Sequence, residues 1–287
     1  MLNHIVRNTV YEGCTADFSS ARVVLVGAGW DGTASYRPGS RFAPIALRSE
    51  TVLAQENYSP YFERDLSELP VHDLGDVDIP FGNKEEALRR IQATATELVA
   101  QGKVPVFIGG EHLITLPAVR PLLQRYPDLV VVQLDAHLDL MDELFGERFS
   151  HGTVMRRIFD LMQADGRIYQ VGIRSGSREE YQFAREHTRL FPFHTRDFLR
   201  VVHRLKDVPV YLTVDIDVFD PAVIPGTGTP EAGGIFFPEF IEFLDAIRSL
   251  SIVGADLVEL APQIDPTNVS TIVASKILRE MLIALAS

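Results

Sequence analysis

The fold of this chain is decided by the stretch Val130-Val131-Val132-Gln133-Leu134-Asp135-Ala136-His137-Leu138-Asp139. Its apolar, β-branched start is typical of a strand that is buried on both faces. Three side chains that can bind metal follow at alternate positions, Asp135, His137 and Asp139. Alternate residues of an extended chain share one face, so these side chains can converge on one point. On this stretch alone, a capped strand end with a solvated aspartate pair would also fit.

The composition is that of an ordinary globular protein, with 46% hydrophobic and 23% charged residues in a chain of 287. No apolar run is long enough to span a bilayer, and the N-terminal segment lacks the apolar core of a signal peptide. The single cysteine, Cys14, is compatible with a reducing cytoplasm. A net charge of −12 argues against nucleic-acid binding. We therefore expect a cytoplasmic protein that binds neither nucleic acid nor membrane.

Strand and helix patterns alternate along most of the chain, which is typical of an α/β fold. Asn83 is a plausible helix N-cap, Gly102 a helix stop, and a last helix is expected over about 267–286. We predict a single three-layer α/β/α domain over residues 1–287, with an eight-stranded, mainly parallel sheet. The expected strands lie near 23–26, 71–75, 104–108, 129–134, 168–173, 190–193, 210–216 and 252–259.

The first strand runs into Gly27-Ala28-Gly29-Trp30-Asp31-Gly32, which is formally a GxGxxG motif. A dinucleotide site would need a helix to open at the third glycine, so that its N-terminus faces the pyrophosphate. The following residues are instead typical of turns, and a helix is expected only near Pro44. The motif therefore does not predict nucleotide binding.

Acidic residues and histidines follow three of the predicted strands. Glu111 and His112 come after 104–108, and Asp215, Asp217 and Asp220 come after or at the end of 210–214. Parallel strands deliver their carboxyl ends to one edge, where α/β sheets bind ligands. The six candidate metal ligands at this edge are His112, Asp135, His137, Asp139, Asp215 and Asp217.

Four carboxylates in one cluster would repel one another, and no Lys or Arg adjoins these strand ends. Bound cations are the natural counter-charge. Carboxylate and imidazole ligands without thiolate favour Mn²⁺, with Zn²⁺ or Fe²⁺ as lesser candidates, and four carboxylates match the charge of two divalent ions. His112 alone would more often be a structural histidine, but six such residues at three strand ends are hard to explain by coincidence.

Three blocks resemble the signatures of the ureohydrolase family, which includes the arginases and agmatinases. They are Gly-Gly-Glu-His at 109–112, Asp-Ala-His-x-Asp at 135–139 and Asp-Ile-Asp-x-x-Asp-Pro at 215–221, followed by Pro-Gly-Thr-Gly-Thr-Pro at 225–230. The resemblance extends from the loop at 35–39 to the final helix and is strongest to bacterial agmatinases. Leu138 and Ile224 depart from the family pattern, which usually has Thr and Ala there, but neither is a ligand.

The resemblance implies an arginase-like fold and two Mn²⁺ per chain. One ion would be held by His112, Asp135, Asp139 and Asp215, and the other by Asp135, His137, Asp215 and Asp217, so that Asp135 and Asp215 bridge. A bridging hydroxide, oriented by Asp139, would attack the guanidinium carbon and release urea and an amine.

Two further residues match functional positions of the family. Glu259 would pair with the planar guanidinium, and His151 would carry a proton to the departing amine. From the residues alone, Glu259 is equally a capped strand end, and His151 is a residue at a helix N-terminus.

The substrate is suggested by the loop at 140–149. Arginases hold the amino-acid end of arginine with Asn and Ser there, whereas this loop is acidic and has neither residue. An acidic loop would repel a carboxylate and could attract an ammonium group. We therefore expect a small cationic guanidino substrate, with agmatine first. Guanidinobutyrate is kept open by Arg148.

Arginine and formimino compounds are further candidate substrates, and a non-enzymatic homologue with a binding role is a separate hypothesis. The resemblance also implies a homo-oligomer, a trimer or a hexamer.

Overall fold

The computed structural model describes residues 4–6 and 9–287. In this part of the chain, one large sheet is covered by helices on both faces, and a separate two-stranded hairpin is present. The strands are β1 Ile5–Val6, β2 Val23–Ala28, β3 Tyr58–Ser59, β4 Arg64–Asp65, β5 Val71–Val77, β6 Val104–Gly109, β7 Val130–Leu134, β8 Ile168–Ile173, β9 Arg189–Pro192, β10 Pro209–Asp215 and β11 Ser251–Val258. The helices are α1 Ala43–Ala54, α2 Lys84–Ala100, α3 Thr115–Arg125, α4 Val154–Met162, α5 Arg178–His187, α6 Arg196–Leu199, α7 Phe237–Ile247 and α8 Val269–Ala286.

The large sheet has the strand order β1-β5-β2-β6-β11-β10-β7-β8-β9. Eight of these strands occupy the predicted positions and run parallel, which confirms the α/β class. The predicted count of eight is one short, because β1 adds a ninth strand antiparallel to β5. A strand of two residues carries no periodic pattern, so the sequence did not predict β1 or the β3–β4 hairpin.

Side chains of each strand alternate between two hydrophobic cores, as the pleat of a sheet requires. Val23 and Leu25 of β2 belong to one core, which is shared with α1, α7 and α8. Val24 and Val26 belong to the other core, which is shared with α2, α3, α4 and α5. The predicted α/β/α layering is therefore confirmed.

The helix signals in the sequence also correspond to observed helix ends. Asn83 Oδ1 accepts the backbone N–H of Glu86 at 3.0 Å, and Gly102 follows α2 with a φ of 72°. Pro44 lies in the first turn of α1, and no helix opens at Gly32, so the GxGxxG stretch lacks the geometry of a dinucleotide site. Among the described residues, no helix is both long and apolar enough to cross a membrane.

The four central strands β6, β11, β10 and β7 end at the same level. Leu134 of β7 pairs with Val214 of β10, whose next residue, Asp215, pairs with Val258 of β11. This register places the residues that follow the four strands side by side at one edge of the sheet. The six candidate metal ligands and Glu259 come from these four strand ends.

Candidate active site

The imidazole of His112 is surrounded by three carboxylates. Its Nδ1 atom lies 3.1 Å from Asp135 Oδ2, 3.0 Å from Asp139 Oδ2 and 3.3 Å from Asp215 Oδ2. His112 Nε2 lies 2.8 Å from Thr213 Oγ1, and this contact directs the other ring nitrogen toward the carboxylates. His112, Asp135 and Asp139 offer ligand atoms close enough together to hold one metal ion.

A second group of possible ligands lies beside the first. His137 Nδ1 is 2.9 Å from Asp217 Oδ2 and 3.6 Å from Asp135 Oδ1. Asp135 therefore presents one carboxylate oxygen to each group, which is the geometry of a bridging ligand. Asp215 has a similar arrangement, with Oδ2 facing His112 and Oδ1 accepting the backbone N–H of Asp217 at 3.0 Å, as Asp135 Oδ1 accepts that of His137.

The two groups fit divalent cations. His112 Nδ1 is buried and makes no hydrogen bond of good geometry, although carboxylate oxygens surround it. Neighbouring ligands of an octahedral ion with bonds of about 2.1 Å lie about 3 Å apart, which matches the distances around His112. The donors are oxygen and nitrogen only, which suits Mn²⁺ better than a thiolate-seeking metal. All six residues of the predicted ligand set are therefore brought together.

Burial and mutual charge shift the proton affinities of this cluster. Burial, together with the negative charge of Asp135, raises the pKa of Asp139 to about 7. Burial opposes a charge on His112 and His137, but the adjoining carboxylates hold the pKa of both imidazoles above the usual range. The cluster thus binds protons at positions where bound cations would compete with them.

Glu259 and His151 line the same cavity as the cluster. Glu259 Oε1 accepts the backbone N–H of His112 at 2.7 Å. His151 begins a short 3₁₀ turn, and its Nε2 lies 3.1 Å from Ser35 Oγ. Burial, together with the neighbouring His112 and His137, lowers the pKa of His151 to about 4. The structure therefore places both residues beside the cluster.

Two of the carboxylates in this site lie on left-handed backbone. Asp139 has a φ of 53° and Glu259 a φ of 65°, values that favour glycine. Residues held in such conformations cluster at functional sites, where the surrounding structure imposes them.

The cavity has a volume of about 290 Å³, which suits a small ligand. Its wall contains four of the six candidate ligands, together with His151, Glu259 and other polar and apolar side chains. These further lining residues include Ser35, Leu138, Met141, Leu144, Ser175, Glu180 and Thr229.

The loop at 140–149 contributes apolar side chains to this wall rather than the acidic ones that the sequence suggested. Met141 and Leu144 line the cavity, whereas Asp142 pairs with Arg157 at 2.6 Å and Glu147 pairs with Lys84. The expected attraction of an ammonium group by this acidic loop is therefore not supported. A sequence shows the charges of a loop but not the partners that its side chains find.

Two charged residues that the sequence singled out lie outside the cavity wall, whereas one acidic residue in the wall was not predicted. Arg148 is 60% exposed and lies 3.8 Å from Asp142, outside the cavity wall. Asp220 accepts backbone N–H groups of the chain that follows it, including that of Gly233 at 2.8 Å, and so stabilises a turn. Glu180, which sequence reasoning missed, is buried in the cavity wall and accepts the backbone N–H groups of Leu140 and Ser177.

The chain is similar to known proteins over most of its length. The profile described as the arginase family matches residues 21–284. The agmatinase of Bacillus anthracis is 43% identical over 270 residues, which are 93% of this chain and 92% of that protein. The agmatinase of Bacillus subtilis is 41% identical over 278 residues, 96% of this chain and 95% of that one. The crystal structure of agmatine ureohydrolase of Thermoplasma volcanium has a TM-score of 0.85 and 31% identity, covering 99% of this chain and 96% of the other.

Proposed function

The chain belongs to the arginase family of hydrolases, and we propose that it hydrolyses agmatine to putrescine and urea with the help of two Mn²⁺ ions. The observation that carries the proposal is the position of Asp135. Its two oxygens face two adjacent ligand groups at one wall of a cavity that also contains Glu259 and His151. The names of the similar agmatinases support agmatine as the substrate.

We propose the same metal ligands that the resemblance implies. His112, Asp135, Asp139 and Asp215 would hold one ion, and Asp135, His137, Asp215 and Asp217 the other. Two such ions would supply a nucleophile at neutral pH by lowering the pKa of a water molecule. Asp139 would orient this nucleophile by accepting a hydrogen bond from it.

Glu259 would bind the guanidinium group of the substrate. Its Oε1 already accepts the N–H of His112, which fixes the side chain, while Oε2 stays available to a planar cation. Hydrogen bonds between a carboxylate and a guanidinium are strong and directional. The reacting carbon would thereby be held beside the metal ligands.

His151 would move the proton that the departing amine needs. A depressed pKa keeps the imidazole neutral at pH 7, so it can accept a proton before it donates one. His151 lies in the wall of the cavity that also contains Glu259.

The cavity wall favours a cationic tail over an anionic one. Within the described part of the chain, no Lys or Arg lines this cavity, whereas Glu180 does. Met141 and Leu144 offer apolar contact to a methylene chain. A carboxylate tail, as in arginine or guanidinobutyrate, would meet a negative charge without a counter-charge. These features favour agmatine.

A substrate panel tests the proposal. Mn²⁺-loaded protein is assayed for urea release from agmatine, arginine and 4-guanidinobutyrate, and for formamide release from a formimino substrate, with metal content measured on the same sample. We expect two Mn²⁺ per chain and the highest kcat/KM for agmatine. If urea or formamide were released faster from another compound, that compound would be the preferred substrate. A protein with its full metal content and no turnover would be a non-enzymatic homologue.

The oligomeric state and the cellular location of the protein can also be proposed from the family. We propose a cytoplasmic homo-oligomer, a trimer or a hexamer, in keeping with the family. Light scattering of the purified protein tests the oligomeric state, and a monomeric mass would contradict it.

A further inference from the structure

Thr33 joins a buried carboxylate to the candidate proton-carrying histidine. Its backbone N–H and its hydroxyl donate to the two oxygens of Glu111, at 2.7 Å and 2.5 Å. The same Oγ1 accepts the backbone N–H of His151 at 3.2 Å and lies 3.5 Å from His151 Nδ1. Glu111 is fully buried, so its position is fixed by the surrounding structure.

The GxGxxG stretch, which binds no nucleotide in our interpretation, produces this contact. A Cβ atom on Gly110 would lie 1.8 Å from the backbone oxygen of Trp30, and one on Gly29 would lie 2.5 Å from the backbone oxygen of Arg41. Gly110 therefore lets the loop after β2 pack directly against the loop after β6, and Gly29 lets the loop after β2 fold back against the turn at Ser40–Phe42. Glu111 N donates to Trp30 O at 2.7 Å, and Thr33 follows three residues later.

Side-chain contacts hold the rest of this loop in place. Asp31 accepts the backbone N–H of Gly39 at 2.8 Å and so closes the loop at its base. Arg37 donates to the backbone oxygens of Thr227 and Gly228, at 2.6 Å and 3.1 Å. Ser35, between these anchors, is thereby placed with its hydroxyl 3.1 Å from His151 Nε2.

We propose that Thr33, fixed by Glu111, is a positioning residue for His151. The inference rests on the proposed function, in which His151 moves a proton. Because the only hydroxyl proton of Thr33 is donated to Glu111, its Oγ1 faces His151 as an acceptor. A ring with its proton on Nδ1 satisfies this contact and leaves Nε2 to accept from Ser35. Thr33 and Glu111 therefore fix both the place and the tautomer of His151.

Thr33→Val is the first test, because it removes the hydroxyl and keeps the shape of the side chain. We expect kcat for agmatine to fall about 10- to 100-fold, as for other residues that orient a functional histidine. KM and Mn²⁺ content should stay within about twofold, since Thr33 is not a ligand. Thr33→Ser restores the hydroxyl and should recover most of kcat.

Thr195→Val is the matched control. The backbone N–H and hydroxyl of Thr195 also donate to a glutamate, here both to Glu239 Oε1, at 2.7 Å and 2.9 Å. Thr195 does not line the cavity. Its replacement should lower stability as Thr33→Val does, while kcat stays unchanged. If kcat fell equally in Thr33→Val and Thr195→Val, Thr33 would contribute only to the stability of the fold, and the proposal would be overturned.

A double-mutant cycle with His151→Asn decides whether Thr33 acts through the histidine. If it does, Thr33→Val should change kcat less than twofold once His151 is replaced. If the fold losses in kcat of the two single variants multiply in the double variant, Thr33 does not act through His151 and the positioning role is overturned.

The tautomer supplies a test that needs no turnover. In ¹⁵N NMR spectra of Zn²⁺-loaded protein, we expect His151 to carry its proton on Nδ1 and to lose this preference in Thr33→Val. Unchanged spectra would contradict the proposal even if agmatine proved not to be the substrate. If agmatine released no urea but Thr33→Val still changed the tautomer of His151, the proposed function would be wrong and the positioning role would remain.

Discussion

Asp217 and Ala136 tie the end of β10 to the end of β7, because Asp217 Oδ1 accepts the backbone N–H of Ala136 at 3.1 Å. The other oxygen of Asp217 faces His137 Nδ1 at 2.9 Å. One carboxylate thus both orders the loop that carries His137 and offers a ligand atom. The metal-ligand groups and the backbone that holds them are therefore parts of one network.

Replacing Asp217 should separate the two proposed metal positions. Asp217→Asn keeps an oxygen for the N–H of Ala136 but removes the charge beside His137. We expect about one Mn²⁺ per chain in place of about two, because the group around His112 is left intact. Elemental analysis of purified protein measures the content, and two ions per chain in this variant would contradict the assignment.

Replacing Asp135 should have a larger effect, because its two oxygens face both groups. Asp135→Ala should lose both ions and lower kcat/KM by about 1,000-fold or more, which corresponds to about 4 kcal/mol. Asp245→Ala is the control, since Asp245 is 60% exposed and pairs only with Arg248 within the described ion pairs. Retained metal and turnover without Asp135 would exclude a bridging role.

Glu259→Gln tests the binding of the guanidinium. The amide oxygen can still accept the N–H of His112, so the local backbone should be kept. Loss of the charge should lower kcat/KM for agmatine about 10- to 100-fold, as expected for a hydrogen bond to a charged group. Metal content should be unchanged, and a parallel loss of Mn²⁺ would show that the effect arises from the ligand cluster.

Metal affinity should fall as the pH falls. Burial raises the pKa of Asp139 to about 7, and this carboxyl must be deprotonated before it can bind a cation. Protons therefore compete with Mn²⁺ below about pH 7, and in that range the binding of the ion releases the proton that Asp139 holds. Calorimetry in buffers of different ionisation enthalpy measures this release. An affinity that does not change between pH 8 and pH 6 would contradict the expected competition.

Asp265 supplies a test of stability outside the active site. Burial alone would raise its pKa, but hydrogen bonds from Ser270 and Thr267 at the start of α8 lower it to about 2, from 3.8. Because the folded-state pKa is the lower one, this stabilisation is fully present above pH 3.8 and is lost as the pH falls toward 2. Asp265→Asn should lower the free energy of unfolding by about 1 kcal/mol at pH 7.

The pH dependence of that difference is the decisive measurement. Urea unfolding of the wild type and Asp265→Asn is followed at pH 7 and pH 3. The difference between the two proteins should shrink at pH 3, because the Asp265 carboxyl of the unfolded chain is then largely protonated while that of the folded protein is still ionised. A difference that is larger at pH 3 would show that the carboxylate is not the stabilising form.

Much of the sheet and of the ligand set could be predicted because both depend on short, local patterns. The run from Val130 to Asp139 contains a buried strand and three of the six candidate ligands within ten residues. Parallel pairing then brings His112 and Asp215 to the same edge without further information. The two-residue strand at Ile5–Val6 was missed because it contains no repeat that a pattern could show.

Contacts that depend on side-chain direction could not be predicted. Asp142 and Glu147 looked available to a substrate, yet each pairs with a basic residue of a neighbouring helix. Thr33 and Glu111 are separated by 78 positions in the chain, and only the close packing of two glycine-rich loops brings them together. No residue pattern near Thr33 signals this role.

The left-handed backbone at Asp139 and Glu259 has an evolutionary consequence. Glycine would adopt either conformation at lower cost, so selection for folding alone would not favour a carboxylate at these positions. Related proteins that no longer catalyse the reaction should therefore first replace these two residues, by glycine or asparagine, and gain folding stability. Sequences of that kind would mark lineages in which the fold has outlived the reaction.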